Sequence, residues 1–358
     1  MKQHFTSRFT VWLGLFALLT GAQAVHAEPL VYVPLGGDGK ILVVDVAKDQ
    51  VVETIEGLAA VHGLAATPDG RYLIAGSYEE RAANGNPAKP QGISEDEHAA
   101  HHQLPAAGSE KPAVASVSTV SVIRTIDRTI VRAIDVPGAV HHVSVSPDGQ
   151  YAAVTRPNEN SISVIDLTTY EISTNIATGS FPNYSVFSPD STRLYISNAG
   201  DNTVAVVDVK GWGIETAFAV GSSPEHVVLS KDGKTLYVNN VDDGTVSVVD
   251  TETGQVGKAI LVGSTLHGID LSEDGSKLFV ASLGDDKIAQ IDLASGAVET
   301  AELSPAPYHL ATISGTGKIY VSSADEPKIW VVGQKELNVI GQIVIGGKGH
   351  QMVQVPGS

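Results

Sequence analysis

The stretches LYISNAGDNTVAVVDV (residues 194–209) and LYVNNVDDGTVSVVD (residues 236–250) decide the fold. Each holds two short runs of aliphatic, aromatic and β-branched residues joined by a turn of Asn, Asp and Gly. That is the pattern of an antiparallel hairpin. The two start 42 residues apart. Around the first, YSVFS (184–188) precedes it across a turn, PDSTR, and ETAFAV (215–220) follows it, so one unit carries four strands. Four short strands in a repeat of about 40 residues make a β-propeller blade, which buries its faces only against neighbouring blades.

The turn Ser-Pro-Asp-Gly and its variants set the period. It stands as TPDG (67–70), SPDG (146–149), SPDS (188–191), SKDG (230–233), SEDG (272–275) and SGTG (314–317). Seven residues before the Asp slot come His62, His141, Asn183, Glu225, His267 and His309, at spacings of 79, 42, 42, 42 and 42. The first spacing exceeds the period by 37, which marks an insertion in the first full unit. His350 follows His309 by 41 as a seventh member. Residues 30–58 supply the last three strands of a blade without its first, and HQMVQV (350–355) supplies only a first strand. The two ends complete one blade between them and remove the edges an open ring would expose. The expected fold is all-β: a seven-bladed propeller of four-stranded blades over residues 28–358, closed by the N-terminal strands plus the C-terminal strand.

Residues 1–27 read as an export signal. Lys2 and Arg8 precede a short apolar core, VWLGLFALL (11–19), and Ala22-Gln23-Ala24 and Val25-His26-Ala27 fit the small-x-small rule, with cleavage expected before Glu28. Nine apolar residues are too few to span a bilayer core of about 30 Å, so no membrane anchor is expected there. The chain has no cysteine, which excludes disulfides, lipidated cysteine and thiolate metal sites. A periplasmic protein and a monomer are the expectation. With 40 acidic against 23 basic residues the net charge is −17, and loss of Lys2 and Arg8 makes it more acidic still. Such a balance argues against nucleic acid and anionic membranes as partners.

Of the 12 histidines, His4 and His26 fall in the signal, seven stand at or one residue after the same position of the repeat, and His98, His101 and His102 lie in the insertion. The first strand of a blade lines the central channel. The column His62, His141, Asn183, Glu225, His267, His309 and His350 should therefore gather at one mouth. His142 and His226 lie one residue further on, where strand alternation would turn them away. Clustered neutral imidazoles beside a carboxylate, Glu225, suit a borderline divalent cation such as zinc, with copper or iron as alternatives. Affinity should then fall as pH drops through roughly 6.5, where free imidazole takes a proton. A lone histidine at a strand start is ordinarily a hydrogen-bonded core or surface residue, and duplication copies residues; Asn183 and Glu225 nonetheless show that this column varies.

In the first full blade RYLIAGSYEE (71–80) reads as the second strand and ASVSTVSVI (115–123) as the third. Residues 81–113 between them have no strand period, and so long a loop in a compact domain is functional or disordered. They contain Glu95, Asp96, Glu97, His98, His101 and His102, a set suited to capturing or passing on a metal at the same mouth. Further acidic residues fall in loops on this face: Asp38, Asp201, Asp242, Asp243, Asp285, Asp286, Asp325 and Glu326. Asp in such turns mainly fixes turn geometry.

The two opening stretches, and more loosely YAAVTRPNENSISVIDL (151–167), resemble the YVTN-repeat β-propellers of the cytochrome d1 haem-domain-like superfamily. Nearly all of the mature chain is covered, and the likeness speaks for fold rather than function. The histidine ring with its His-rich loop also resembles the AztD-type periplasmic zinc metallochaperones. That likeness implies delivery of zinc to the solute-binding protein of a metal ABC importer. Two alternatives remain at this point. One is a copper- or iron-dependent oxidoreductase or hydrolase using the same ring, in which Glu225 is the one acid or base of the column. The other is binding of d1-type haem with ring histidines as axial ligands. Gly36 to Lys40 is a hairpin turn rather than a phosphate loop, no Cys-x-x-Cys-His is present to attach haem covalently, and Met352 is the one methionine left after cleavage.

Overall fold

The computed structural model describes Met1 and residues 29–83 and 116–355. Among these residues the chain forms seven antiparallel sheets arranged as a seven-bladed β-propeller. Blade 3 is representative: Pro182–Phe187, Arg193–Asn198, Thr203–Asp208 and Gly213–Ala219, in order from the channel outward. Its second strand is buried on both faces and carries the apolar run Leu194, Tyr195 and Ile196 at its centre. Outer strands such as Glu171–Ala177 alternate between exposed and half-buried positions and carry the polar residues.

Blades pack face to face. Val204, Val206 and Phe218 of blade 3 meet Val227, Leu229, Leu236 and Val238 of the next. The seventh blade unites the chain ends as expected: Val353–Val355 pairs with Leu30–Leu35, which continues into Lys40–Asp45 and Gln50–Ile55. Val31, Val33, Leu42 and Val44 of this blade pack on Ile313, Tyr320, Ile329 and Val331 of blade 6. Its other face, with Tyr32, Ile41 and Val43, meets Leu64 and Leu73 of blade 1. Lys318 adds an ion pair to Asp49 at 2.8 Å across the same seam.

The repeated turn sits at the far end of each first strand from the ring. In SKDG the Asp232 carboxylate accepts from Ser230 Oγ at 2.7 Å and from Lys234 N at 3.1 Å, while Gly233 takes φ +72°, where a side chain would be strained. Blade 1 differs from its neighbours. Strand pairing continues into the expected insertion: Arg81–Ala82 pairs with the start of Ser116–Arg124, at Val117 and Ser116. The long loop therefore begins after a short ladder rather than at residue 81. Arg81 is also ion-paired with Asp135 of the following strand. Because Val61 pairs with Ser77, the second strand of blade 1 ends beside the start of its first, so the insertion leaves the blade at the ring's mouth. Among the described residues no helix is long and apolar enough to cross a membrane.

Candidate metal centre

A β-bulge at the start of each inner strand builds the site. In blade 3 Pro182 pairs with Asn198 and Ser185 with Ile196, so three steps on the first strand face two on the second. The same shift separates Pro224 from Val227, Leu266 from Ile269, and Pro307 from Leu310. A bulge suspends the one-in, one-out alternation of a strand. Two consecutive residues per blade are thereby presented at the mouth instead of one.

Two tiers result, and they correct the sequence reading at two points. The first tier is His62, His141, Asn183, Glu225, His267, Tyr308 and His350; the second is Gly63, His142, Tyr184, His226, Gly268, His309 and Gln351. His309 thus stands in the second tier, with Tyr308 in the position expected for it. The cause is the first strand of blade 6, Pro307–Ile313, which is one residue longer than Pro224–Leu229. His142 and His226 do not turn away; the bulge holds them in the cluster. Glycine fills the second tier where a neighbour comes close: a Cβ on Gly268 would lie 2.5 Å from Leu310 N, and one on Gly63 2.8 Å from the His141 carbonyl oxygen.

The seven imidazoles form a closed circuit. Ring centroids are 4.5 Å apart for His62 and His141, 4.2 Å for His141 and His142, 4.9 Å for His142 and His226, and 4.4 Å for His226 and His267. The circuit continues at 4.5 Å from His267 to His309, 5.7 Å from His309 to His350, and 4.3 Å back to His62. None of the seven side chains' residues is more than 4% exposed, so the cluster is shut off from bulk water. Three triads bring ligand nitrogens within 4.8 Å of one another: His62, His309 and His350; His62, His141 and His142; and His142, His226 and His309. Tetrahedral zinc with bonds of ~2.1 Å needs nitrogens about 3.4 Å apart, which small side-chain rotations supply. Among the described residues His267 touches the circuit but joins no triad, and Glu225, although buried, joins none either.

Hydrogen bonds set the tautomers. Nδ1 of His62 donates to the His141 carbonyl at 2.9 Å, and Nδ1 of His142 to the Asn183 carbonyl at 3.0 Å. A carbonyl can only accept, so these Nδ1 atoms hold the proton and Nε2 keeps the lone pair. Nε2 of His142 and of His309 is buried with no hydrogen-bond partner among the described residues. A buried acceptor left unmatched costs about 1–3 kcal/mol, and a cation would match it.

Burial keeps the imidazoles neutral. It lowers His62 to about 4, partly offset by its bond to His141. Desolvation likewise holds His141, His142 and His309 well below the usual imidazole range, and the neighbouring rings push in the same direction. Neutral imidazole is the form that ligates a metal.

Tyrosine and glutamine complete the surroundings, and neither carried a signal in the histidine pattern. Tyr308 lies 3.9 Å from His267, Tyr184 4.7 Å from both His142 and His226, and Tyr78 5.8 Å from His62. Burial pushes the Tyr184 phenol up to about 12, so it stays a neutral donor. Gln351 reaches across the channel: its Nε2 donates to Tyr184 Oη at 3.0 Å and to the Val143 carbonyl at 3.2 Å, while its Oε1 accepts from Leu64 N at 3.0 Å. The Asn183 side chain is buried, and its amide oxygen and nitrogen have no partner among the described residues. Glu95, Asp96, Glu97, His98, His101 and His102 lie outside the described residues. Several loop carboxylates have structural work: Asp201 holds Ser180 N, Asp243 holds Ser222 N at 2.7 Å, and Asp286 holds Ala306 N at 2.7 Å.

Fold and site together define a propeller with a buried histidine ring at one channel mouth. The chain belongs to the family described as "Lactonase, 7-bladed beta-propeller", whose model matches residues 155–340, just over half of its length. No curated protein sequence matches it. Among solved structures it is similar to the periplasmic gluconolactonase PpgL of Pseudomonas aeruginosa, with 16% identity, 92% of this chain and 99% of that one covered, and a TM-score of 0.70. A putative 6-phosphogluconolactonase from Bacteroides fragilis gives 15% identity, 93% and 99% coverage, and a TM-score of 0.69. The dihydro-heme d1 dehydrogenase NirN gives 13% identity and a TM-score of 0.64, with 88% of this chain matching 63% of that one. At such identities the likeness is one of fold.

Proposed function

We propose that this protein is an exported, periplasmic carrier of a divalent metal ion, zinc first, held by the histidine ring. One observation carries the reading. Seven buried imidazoles face one another, and the Nε2 atoms of two of them, His142 and His309, have no hydrogen-bond partner among the described residues. His62, His141, His142, His226, His309 and His350 form the triads and would hold the ion, with His267 and Glu225 beside them. All-imidazole donors favour zinc or copper over magnesium or calcium, which take oxygen. In this reading the signal at residues 1–27 places the protein in the periplasm, the His98, His101 and His102 loop exchanges ligands with the ring, and the solute-binding protein of an ABC importer receives the ion. Contact between the imidazoles speaks against d1 haem, which would need a flat pocket between its axial ligands.

Metal-assisted lactone hydrolysis is the second reading, favoured by family membership. A three-histidine site leaves a fourth position, where a bound ion would acidify water. The ring's burial weighs against it, since a lactone would need an open path to the ion. The deciding experiment is elemental analysis of protein purified from the native periplasm, with an absorption spectrum of the same sample and an aldonolactone assay before and after chelation. Stoichiometric zinc, no visible bands and no chelator-sensitive turnover support the carrier. Absence of any transition metal after native purification, with no uptake on titration, overturns it.

A further inference from the structure

The three triads are not independent. The first and second share His62, the second and third share His142, and the first and third share His309. His141, His226 and His350 each belong to one triad only. Three shared imidazoles thus stand at the corners of a triangle, His62 to His142 at 5.2 Å, His142 to His309 at 5.8 Å and His62 to His309 at 6.2 Å between centroids, with one private histidine beside each edge. Given the metal binding proposed above, we infer that the ring is a one-ion site with three interchangeable seats, His62, His142 and His309 being the pivots between them.

The lone-pair count enforces this. A neutral imidazole offers one lone pair, so a pivot serves one ion at a time. Filling two seats at once would require a pivot to bridge two metals as an imidazolate. For His62 and His142 that means giving up the Nδ1 proton that each donates to a carbonyl. Two dications would also sit a few ångströms apart in a pocket whose triads bring no negative charge. One ion therefore excludes the next.

Movement between seats is the corollary. An ion leaving the His62, His141 and His142 seat for the His142, His226 and His309 seat keeps its bond to His142 while exchanging two partners. No step releases it fully. Six histidines then serve mobility across the mouth rather than capacity, as hand-over to an acceptor requires.

The test is zinc affinity and stoichiometry by competition titration on the full chain, with His98, His101 and His102 replaced by Ala so that only the ring is read. Each single His→Ala change at the six triad positions should leave one ion bound within about tenfold of the parent, the size of an outer-shell loss, because at least one seat survives. Any pair of private changes, such as His141→Ala with His226→Ala, should also retain binding through the remaining seat. Any pair of pivot changes, such as His62→Ala with His142→Ala, destroys all three seats and should cost more than about a hundredfold, beyond any outer-shell effect. One single variant that abolishes binding while the others leave it untouched would establish a fixed site and overturn the inference, as would two ions held in the ring with similar affinity. A parent that binds no zinc instead sinks the metal reading itself. Thermal melts separate misfolding from ligand loss. An independent readout needs no mutation: one equivalent of cadmium-113 in the unmodified chain should give several resonances, or one broad line that resolves on cooling. A single sharp, temperature-independent line defeats the three-seat scheme.

Discussion

The Asn183 carbonyl binds Nδ1 of His142 at 3.0 Å, so the backbone of blade 3 dictates which nitrogen of a blade 2 histidine faces the channel. Thr155 braces the same pair. Its Oγ1 donates to the Asn183 carbonyl at 2.9 Å and accepts from His142 N at 2.9 Å. Replacing Thr155 with Val keeps the shape and removes both bonds. Zinc affinity should fall by about threefold, less than for His142→Ala and with unchanged stoichiometry, because the seat of His62, His309 and His350 does not use this brace. Unchanged affinity in a competition titration would show that His142 needs no brace.

Acid should destabilise the metal-free protein. His62 has a folded value of about 4 against roughly 6.5 unfolded, so the unfolded chain takes up the proton first. The contribution of this residue is complete above about pH 6.5 and is lost as pH falls toward 4, roughly 3 kcal/mol in all. His141, His142 and His309 shift in the same direction and steepen the loss. Urea midpoints at pH 7.5, 6 and 5 should decline for the parent and less for His62→Phe. The same depression moves proton competition for the ion below the value near 6.5 expected from free imidazole. Zinc should stay bound at pH 6 and be released nearer pH 4–5, read by a zinc-sensitive dye.

Gln351 ties three blades to the closing one, and Gln351→Leu leaves Leu64 N and the Tyr184 hydroxyl without that partner. A loss of about 2–4 kcal/mol is expected from unmatched buried groups, visible as a lower melting temperature. A melt equal to the parent's would mean that water replaces the amide at no cost.

Gly268→Ala should disturb both stability and the ion. The new Cβ meets Leu310 N at 2.5 Å, next to His309, so the backbone of blade 6 must shift. A cost of about 1–3 kcal/mol is typical of forced overpacking. His267→Ala, by contrast, should keep zinc affinity within about threefold, because His267 belongs to no triad. Equal effects of the two changes on the ion would argue against this geometry.

Much of the fold was legible because a 42-residue period with recurring Asp turns leaves few other architectures, and the incomplete blades at the two ends announce how the ring shuts. The column of His62, His141 and His267 was legible for the same reason. The second tier was not, because a bulge leaves no residue type of its own: His142 and His226 look like the outward half of an alternating strand. The displacement of His309 did leave a trace, in the spacing of 41 to His350 and in SGTG, which has no Asp. Tyr184, Tyr308 and Gln351 were missed because an aromatic or an amide beside the ring is indistinguishable in sequence from ordinary strand filling.

The closing blade sets an order of events. His350, Gln351 and Val353–Val355 follow the strands of all the other blades in the chain, and they supply a candidate ligand, the cross-channel amide and the closing strand together. Six blades can form while the chain is still emerging, but the seat of His62, His309 and His350 exists only once Val353–Val355 has docked on Leu30–Leu35. On the carrier reading, metal loading at that seat would report that the first and last strands of the ring have met. A chain cut after Lys348 would surrender candidate ligand, amide and clasp in one stroke.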